Sequence, residues 1–191
     1  MISPSRQLGL LGLLLVGAAH AASTAQTHRV DAGTGAETWE LDADGVTLSL
    51  TQILPDQVRA FYVNRGFPLA AVEPYATSCV FMTVLRNDSA AGVVHYKLAD
   101  WSIESGGGHS PVKGVEQWLD RFAGQDIPTP ALIAFRWAQF PPEQAYEPGG
   151  DWNQGMLSTD LPAGERFDLI GQWDIAGKAR RELLKNVTCA R

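Results

Sequence analysis

Short alternations of apolar and polar residues, separated by glycine and proline, are the feature that most restricts how this chain folds. Val46, Leu48 and Leu50 alternate with hydroxyl-bearing residues, and the pair Asp44-Gly45 lies directly before them. A period of two predicts a strand with one buried face, and the residues ahead of it have the chemistry of a hairpin turn. The 19 glycines and 11 prolines recur between runs of this kind. The sequence therefore predicts many short strands.

About seven strands are predicted, together with short helices that begin near Pro55 and Val115. The strands are expected within residues 38–41, 46–51, 78–87, 93–103, 131–140, 167–173 and 180–189, the third and fourth forming a hairpin. Helices this short cannot cover a parallel sheet, so the predicted fold class is mainly β. We expect an antiparallel two-sheet β-sandwich of immunoglobulin-like type with one or two short helices. A partly open barrel is the main competing architecture, and no internal repeat is visible.

The first 21 residues have the pattern of a cleaved secretory signal peptide. Arg6 precedes an apolar run over residues 8–19, and Ala19 and Ala21 fit a small-residue cleavage site. The run is shorter than the roughly 20 residues that span a bilayer. We therefore expect a flexible lead over residues 22–36, a single β-sandwich domain over residues 37–191, no integral membrane segment after cleavage, and a periplasmic or secreted protein.

Cys79 and Cys189 are the only cysteines of the chain. Export to an oxidising compartment favours a disulfide between them over a pair of buried thiols. Closing a loop of about 110 residues would stabilise the fold by roughly 4 to 5 kcal/mol in the chain-entropy model.

The charge balance narrows the class of partner. The chain carries 15 lysines and arginines against 21 aspartates and glutamates, a formal net charge of -6. Nucleic acids and anionic membrane surfaces are bound by neutralising phosphates with basic side chains. We therefore expect a periplasmic protein or a small ligand as the partner, and no nucleic acid.

The segment over residues 135–156 is the most distinctive internal stretch. It is predicted as the end of a strand followed by a long aromatic loop, and loops of that length are often functional. Arg136, Tyr146, Trp152 and Met156 are residue types that anchor recognition surfaces, so they are the predicted binding residues. Packing of these aromatic side chains in the core is the alternative.

Copper binding is the alternative function that the sequence leaves open. Cleavage after residue 25 or residue 19 would place His28 third or His20 first in the mature chain, where an amino-terminal copper site can form. His95, His109 and Met156 are the further donors considered. A blue-copper cluster is excluded by spacing, because only two residues follow the second cysteine. No internal metal site and no cofactor are predicted.

Catalysis is not predicted. Asp100, Glu104, Glu143, Glu147 and Asp151 are possible acids and bases for glycoside hydrolysis, but no spacing selects a pair among them. A serine nucleophile is not supported either, because the strained G-x-S-x-G turn is missing. The sequence therefore predicts an exported, non-catalytic binding or accessory protein that recognises its partner through the aromatic loop.

Overall fold

Residues 24–191 are described by a computed structural model, which is mainly β with two antiparallel sheets and four α-helices. The strands are β1 (Ala25–Val30), β2 (Glu37–Ala43), β3 (Val46–Gln52), β4 (Val80–Asn87), β5 (Val94–Lys97), β6 (Ser102–Ser105), β7 (Gly108–Pro111), β8 (Glu143–Tyr146), β9 (Asp151–Ser158), β10 (Arg166–Ile175) and β11 (Lys178–Thr188). The helices are α1 (Pro55–Val63), α2 (Leu69–Ala76), α3 (Val115–Phe122) and α4 (Thr129–Ala138). The predicted signal peptide lies outside the described residues. No helix among residues 24–191 has the length and hydropathy to cross a membrane.

The first sheet, sheet A, has the strand order β1-β2-β3-β4-β9, and every neighbouring pair is antiparallel. The predicted hairpin of β2 and β3 is confirmed. Its turn places Asp44 and Gly45 at φ 51° and 81°, and this left-handed conformation matches the right-handed twist of the two strands. Trp39, Leu41 and Leu50 point from this hairpin into the space between the sheets.

The second sheet, sheet B, is organised around the long strand β10. Strand β11 pairs along one edge of β10 after a turn at Ala176-Gly177, so the two strands predicted within residues 167–173 and 180–189 are neighbours. Strands β5 and β6 share the other edge because a 3-10 turn at Leu98–Asp100 divides them. Strand β7 pairs with β6, and β8 pairs with β5.

The predicted hairpin of residues 78–87 and 93–103 is wrong, because β4 lies in sheet A and β5 in sheet B. The chain crosses between the sheets after Asn87, which is fully buried. The Asn87 side-chain amide donates to the carbonyls of Gly92 (3.0 Å) and Tyr146 (2.9 Å) and accepts from the Ala90 N–H (3.1 Å). These bonds satisfy the buried Asn87 amide and hold the crossing segment, which is largely exposed, against the end of β8.

The space between the sheets forms the main hydrophobic core, and the predicted disulfide between Cys79 and Cys189 closes one end of it. The two-sheet antiparallel arrangement predicted from the alternation is therefore present. The immunoglobulin-like connectivity is not confirmed, because β1 to β4 form a meander in one sheet and a pair of helices is inserted between β3 and β4.

The four helices form a third layer on the outer face of sheet A. Their second core includes Val80 of β4 and Met156 of β9. The prediction of a strand over residues 131–140 is wrong, because this segment is helix α4. Ala131 and Phe135 are buried four residues apart, whereas Ile133 is exposed, which fits a helical period and not a period of two. Helix α2 was not predicted at all.

The two helical hairpins are an internal repeat that the sequence did not reveal. Helices α1 and α3 begin at residues 55 and 115, and helices α2 and α4 at residues 69 and 129, so the spacing is the same. The Leu54 N–H bonds to Gln57 Oε1 (2.9 Å) as the Gly114 N–H bonds to Gln117 Oε1 (3.1 Å). Buried positions also correspond: Val58 with Trp118, Tyr62 with Phe122, Ala71 with Ala131, and Tyr75 with Phe135.

On one side of the sandwich, the edge of sheet A at β1 is hydrogen-bonded to strand β11 of sheet B. Residues 25–30, predicted as part of a flexible lead, instead form strand β1 on the edge of sheet A. The Gln26 side-chain amide donates to the Lys185 carbonyl (2.8 Å) and accepts from the Lys185 N–H (2.9 Å), so it joins this edge to β11. Strand β1 has no buried residue, and its sequence therefore lacks the alternation that would have predicted it.

Candidate functional site

The opposite side of the sandwich, where β8 and β9 are the outermost strands of the two sheets, holds a groove of about 450 Å³. We call it the edge groove. It is lined by Val115, Arg136, Trp137, Gln139, Phe140, Pro141, Pro142, Glu143, Gln144, Asn153 and Gln154. Apart from Val115 at the start of α3, these residues come from the C-terminal end of α4, the connection to β8, the first half of β8 and the N-terminal half of β9. Most of the groove is thus formed by the segment that the sequence singled out.

The edge groove depends on a close approach between the connection after α4 and strand β9. The Phe140 N–H donates to the Met156 carbonyl (2.9 Å). A Cβ atom at residue 155 would lie 2.3 Å from the Phe140 nitrogen and 2.4 Å from the Gln139 carbonyl carbon, so only glycine fits at Gly155. This contact ends the open part of the β9 edge and fixes one end of the groove.

A buried hydrogen-bond chain holds Gln139 at the base of the groove. The Tyr75 hydroxyl donates to Gln139 Oε1 (3.0 Å), Gln139 Nε2 donates to the Tyr62 hydroxyl (2.8 Å), and that hydroxyl donates to Met156 Sδ (3.3 Å). Burial raises the pKa of Tyr62 and of Tyr75 above the ordinary tyrosine value. Both tyrosines therefore stay neutral, and the polar chain is satisfied without charge.

The backbone of β9 next to the groove is open for pairing. Because the Met156 carbonyl points away from β4, the N–H and C=O groups of Trp152 and Gln154 point the same way by the period of two. Within residues 24–191 no strand pairs with them on that side. Two donors and two acceptors at Trp152 and Gln154 therefore face the groove side of the strand.

Strand β9 also lacks the features that protect the other sheet edges. Strand β8 is only four residues long and is bracketed by Pro142 and Pro148, and β7 is equally short and ends in Pro111. Strand β11 carries four lysines or arginines, and β1 is joined to β11. Strand β9 contains neither lysine nor proline, and no strand within residues 24–191 pairs with the outer edge of its residues 151–154. Natural proteins rarely leave such an edge unprotected unless something pairs with it.

Trp137 forms an exposed apolar wall of the groove. Its side chain is 83% exposed, and Ile133, one turn earlier on α4, is 52% exposed. In the first helical hairpin the residues equivalent to Leu119 and Ile133 are Arg59 and Glu73, which form an ion pair of 2.7 Å. The second hairpin thus carries apolar side chains where the first carries paired charges, which is unfavourable for a surface that only contacts water.

The repeat provides a second groove of similar size, about 440 Å³, at the equivalent end of the first hairpin. Thr77 and Cys79 line it at the positions equivalent to Trp137 and Gln139. Ala190 and Arg191 also line this groove, so the end of the chain lies against it. Of these two grooves of residues 24–191, only the edge groove combines an exposed tryptophan with an open strand.

The four predicted binding residues fall into two pairs. Arg136 and Trp152 are exposed to solvent, and half of the surface of Trp152 is accessible (50%). Tyr146 and Met156 are buried, with 1% and 4% of their surface exposed, because they pack in the sandwich core and in the helical core respectively. The structure therefore places only Arg136 and Trp152 where a partner can reach them. Trp137, which sequence reasoning left out, is the most exposed large apolar side chain among residues 24–191.

Charges around the groove are mostly paired, and the unpaired ones are acidic. Arg136 forms two hydrogen bonds to the Glu116 carboxylate, which lower the pKa of Glu116. Glu143 bonds to His95 Nε2 (2.8 Å) and lies 3.4 Å from Lys97 Nζ. Glu147 and Asp151, at the far end of the groove, form no ion pair within the described residues. The charged side chains that line the groove, Arg136 and Glu143, balance each other, and the excess negative charge lies beside it, at the turn between β8 and β9.

His95 lies between two carboxylates on the outer face of sheet B. Its Nε2 contacts Glu143, and its Nδ1 contacts Asp174 at 3.2 Å. The hydrogen bond to Glu143, followed by the bond to Asp174, raises the pKa of His95 above the ordinary histidine value. A pocket of about 240 Å³ around His95 and Arg180 is smaller than the edge groove, and Arg180 is engaged with Asp44 (2.8 Å).

No cluster of three or more histidine, cysteine or carboxylate side chains within residues 24–191 is arranged to hold a metal ion. His28 bonds to Glu37 (2.7 Å) and stacks on Trp39, so an amino-terminal copper site there would require β1 to leave sheet A. His109 lies in strand β7, 3.9 Å from Glu104. Asp100 ends the 3-10 turn on sheet B, away from Glu147 and Asp151 at the turn between β8 and β9.

Comparisons with known proteins leave the site to be interpreted from its own geometry. No protein-family model matches the chain, and no curated protein or solved structure is significantly similar to it.

Proposed function

We propose that this protein is an exported, non-catalytic binding protein that takes up an extended segment of a partner protein beside strand β9. The observation that carries the proposal is the unpaired backbone of Trp152 and Gln154 next to the exposed side chain of Trp137. Addition of a strand to an open sheet edge supplies main-chain hydrogen bonds, and neighbouring pockets supply specificity. The edge groove provides both.

The size of the site fits a short segment. The edge is open from Asp151 to Gln154, and beyond Gln154 the close contact at Gly155 ends it. Four strand residues span about 13 Å at 3.3 Å per residue. A partner segment of four or five residues fills this length, and Trp137 covers it from the side of α4.

The rigidity of the surroundings favours binding. Gln139 is held by the buried tyrosine chain, and β9 pairs with β4 along its whole length. A preformed edge loses little conformational freedom when a ligand arrives, so more of the contact energy remains as affinity. Export, which the disulfide fits, places the expected partner outside the cytoplasm.

Panning of a phage library of random seven-residue peptides against the protein tests the proposal. Trp137→Ala should weaken the enriched peptides by about tenfold or more, as expected for a tryptophan anchor. Leu69→Ala is the matched control, because Leu69 is 56% exposed on the equivalent helix α2. It should leave the affinity within about twofold.

A second pair of variants separates backbone pairing from side-chain contact. Gln154→Pro removes the N–H that faces the groove, whereas Gln154→Ala removes only the side chain, and proline is tolerated on the outer side of an edge strand. The proposal requires Gln154→Pro to abolish binding and Gln154→Ala to retain most of it. Enriched peptides that bind all four variants equally well, or a library from which no peptide is enriched, would contradict it.

A further inference from the structure

We infer that the segment bound in the edge groove alternates apolar side chains with lysine or arginine. This inference rests on the proposed function and names the chemistry of its ligand. It follows from the two different surfaces that the groove presents to a strand added beside β9.

The two faces of an added strand meet different environments. Met156 points into the helical layer and Leu157 into the sandwich core, so Trp152 and Gln154 lie on the helical side of β9. Successive side chains of the added strand alternate between these same two sides. One set therefore faces Trp152 and Trp137, and the other set faces the side of β8.

The ligand side chains that face the helical layer are expected to be apolar because two exposed tryptophans lie on that side. Trp137 and Trp152 are 83% and 50% exposed, and both stand on elements that border the groove. Burying apolar surface between them and a ligand side chain gains free energy in proportion to the area removed from water. Aromatic or branched aliphatic side chains cover these rings best.

The ligand side chains that face β8 are expected to be basic because the nearby protein charges are mostly negative. Residues 141–155 contain three carboxylates, on Glu143, Glu147 and Asp151, and no lysine or arginine. The nearby cations Arg136 and Lys97 already contact Glu116 and Glu143, and Arg86, which lies opposite Trp152 on β4, contacts Asp88. A lysine or arginine of the ligand can therefore pair with Glu147 and Asp151, which form no ion pair within the described residues, whereas an acidic side chain is repelled by them.

Affinities of two synthetic peptides test the inference. The first alternates lysine with phenylalanine and valine over seven residues, and the second has glutamate at every lysine position. The lysine peptide should bind about tenfold more tightly at low salt, and the ratio should shrink as salt screens the charges.

The variant with both Glu147→Gln and Asp151→Asn should reduce that ratio to about threefold or less, because amides keep the hydrogen-bonding oxygens but lose the charge. Two changes of the same kind at exposed acids of the α3 hairpin, Asp120→Asn and Asp126→Asn, are the control and should leave the ratio unchanged.

The outcomes distinguish this inference from the function on which it rests. Equal binding of both peptides, lost from both in Trp137→Ala, would overturn the basic preference and leave the proposed function standing. Failure of both peptides to bind, while panned peptides bind in a Trp137-dependent way, would also overturn the alternation. Failure of every peptide would overturn both proposals.

Discussion

Replacement of Gly155 by alanine should destabilise the fold and distort the edge groove. The added Cβ would lie 2.3 to 2.5 Å from backbone atoms of Gln139 and Phe140, which no rotation of a side chain can relieve. Moving this backbone costs about 1 to 3 kcal/mol for overpacking, and loss of the bond from the Phe140 N–H to the Met156 carbonyl adds about 1 kcal/mol. We expect a loss of roughly 2 to 4 kcal/mol in the free energy of unfolding.

Urea unfolding followed by tryptophan fluorescence measures this loss. Gly33→Ala is the control, because a Cβ there meets its nearest atom at 3.5 Å and the residue is exposed. It should change the free energy of unfolding by no more than about 0.5 kcal/mol. If Gly155→Ala were as stable as Gly33→Ala, the close approach that closes one end of the groove would be refuted.

Three further predictions concern the packing, the disulfide and the histidine. Trp152→Ala should change the free energy of unfolding by less than about 0.5 kcal/mol, whereas Tyr146→Ala should cost about 3 to 5 kcal/mol; urea titration of both variants tests whether the two predicted anchors differ in burial. Combined Cys79→Ala and Cys189→Ala substitution should lower stability by roughly 4 to 5 kcal/mol, and two thiols that react with an alkylating agent in the unfolded, unreduced wild type would refute the disulfide. The raised pKa of His95 means that its contribution is present at low pH and lost as pH rises through that pKa, so His95→Gln should destabilise more at about pH 5.5 than at about pH 8.5 in matched urea titrations; an equal loss at both pH values would contradict the ion pairs.

Strands were predictable where one face is buried. Leu48 and Leu50 point into the core and Ser49 does not, so the alternation in β3 is visible in the sequence. Strand β1 has two exposed faces and left no such signal. The sequence of helix α4 predicts a strand because exposed Ile133 and Trp137 add apolar residues at positions that are usually polar in a helix with one buried face.

The repeat could not be predicted from the sequence because the two helical hairpins are similar in structure but share few identical residues. Between residues 53–80 and 113–140, only Gln57, Pro68 and Ala71 have an identical counterpart. Tyr75 and Phe135 fill the same place with different residues, since a core requires volume and apolar character more than identity. The repeat became visible only when both helical hairpins could be compared in space.

The location of the candidate site was predictable in part. The aromatic segment over residues 135–156 was identified, and it supplies most of the edge groove. The choice among its aromatic residues was not predictable, because Tyr146 stacks on Tyr96, which in turn stacks on Phe140, and these rings come together only in the fold. The open edge of β9 depends on strand order, which a single sequence does not specify.

Hydrogen exchange of individual β9 amides tests the central claim, that the edge of this strand is open and pairs with a ligand. In the free protein the amides of Trp152 and Gln154 should exchange quickly, and those of Asn153 and Gly155, which pair with Leu85 and Thr83 of β4, should be protected. Saturation with an enriched peptide should protect Trp152 and Gln154 as well. Protection of these two amides in the free protein, or no gain on peptide binding, would contradict the account.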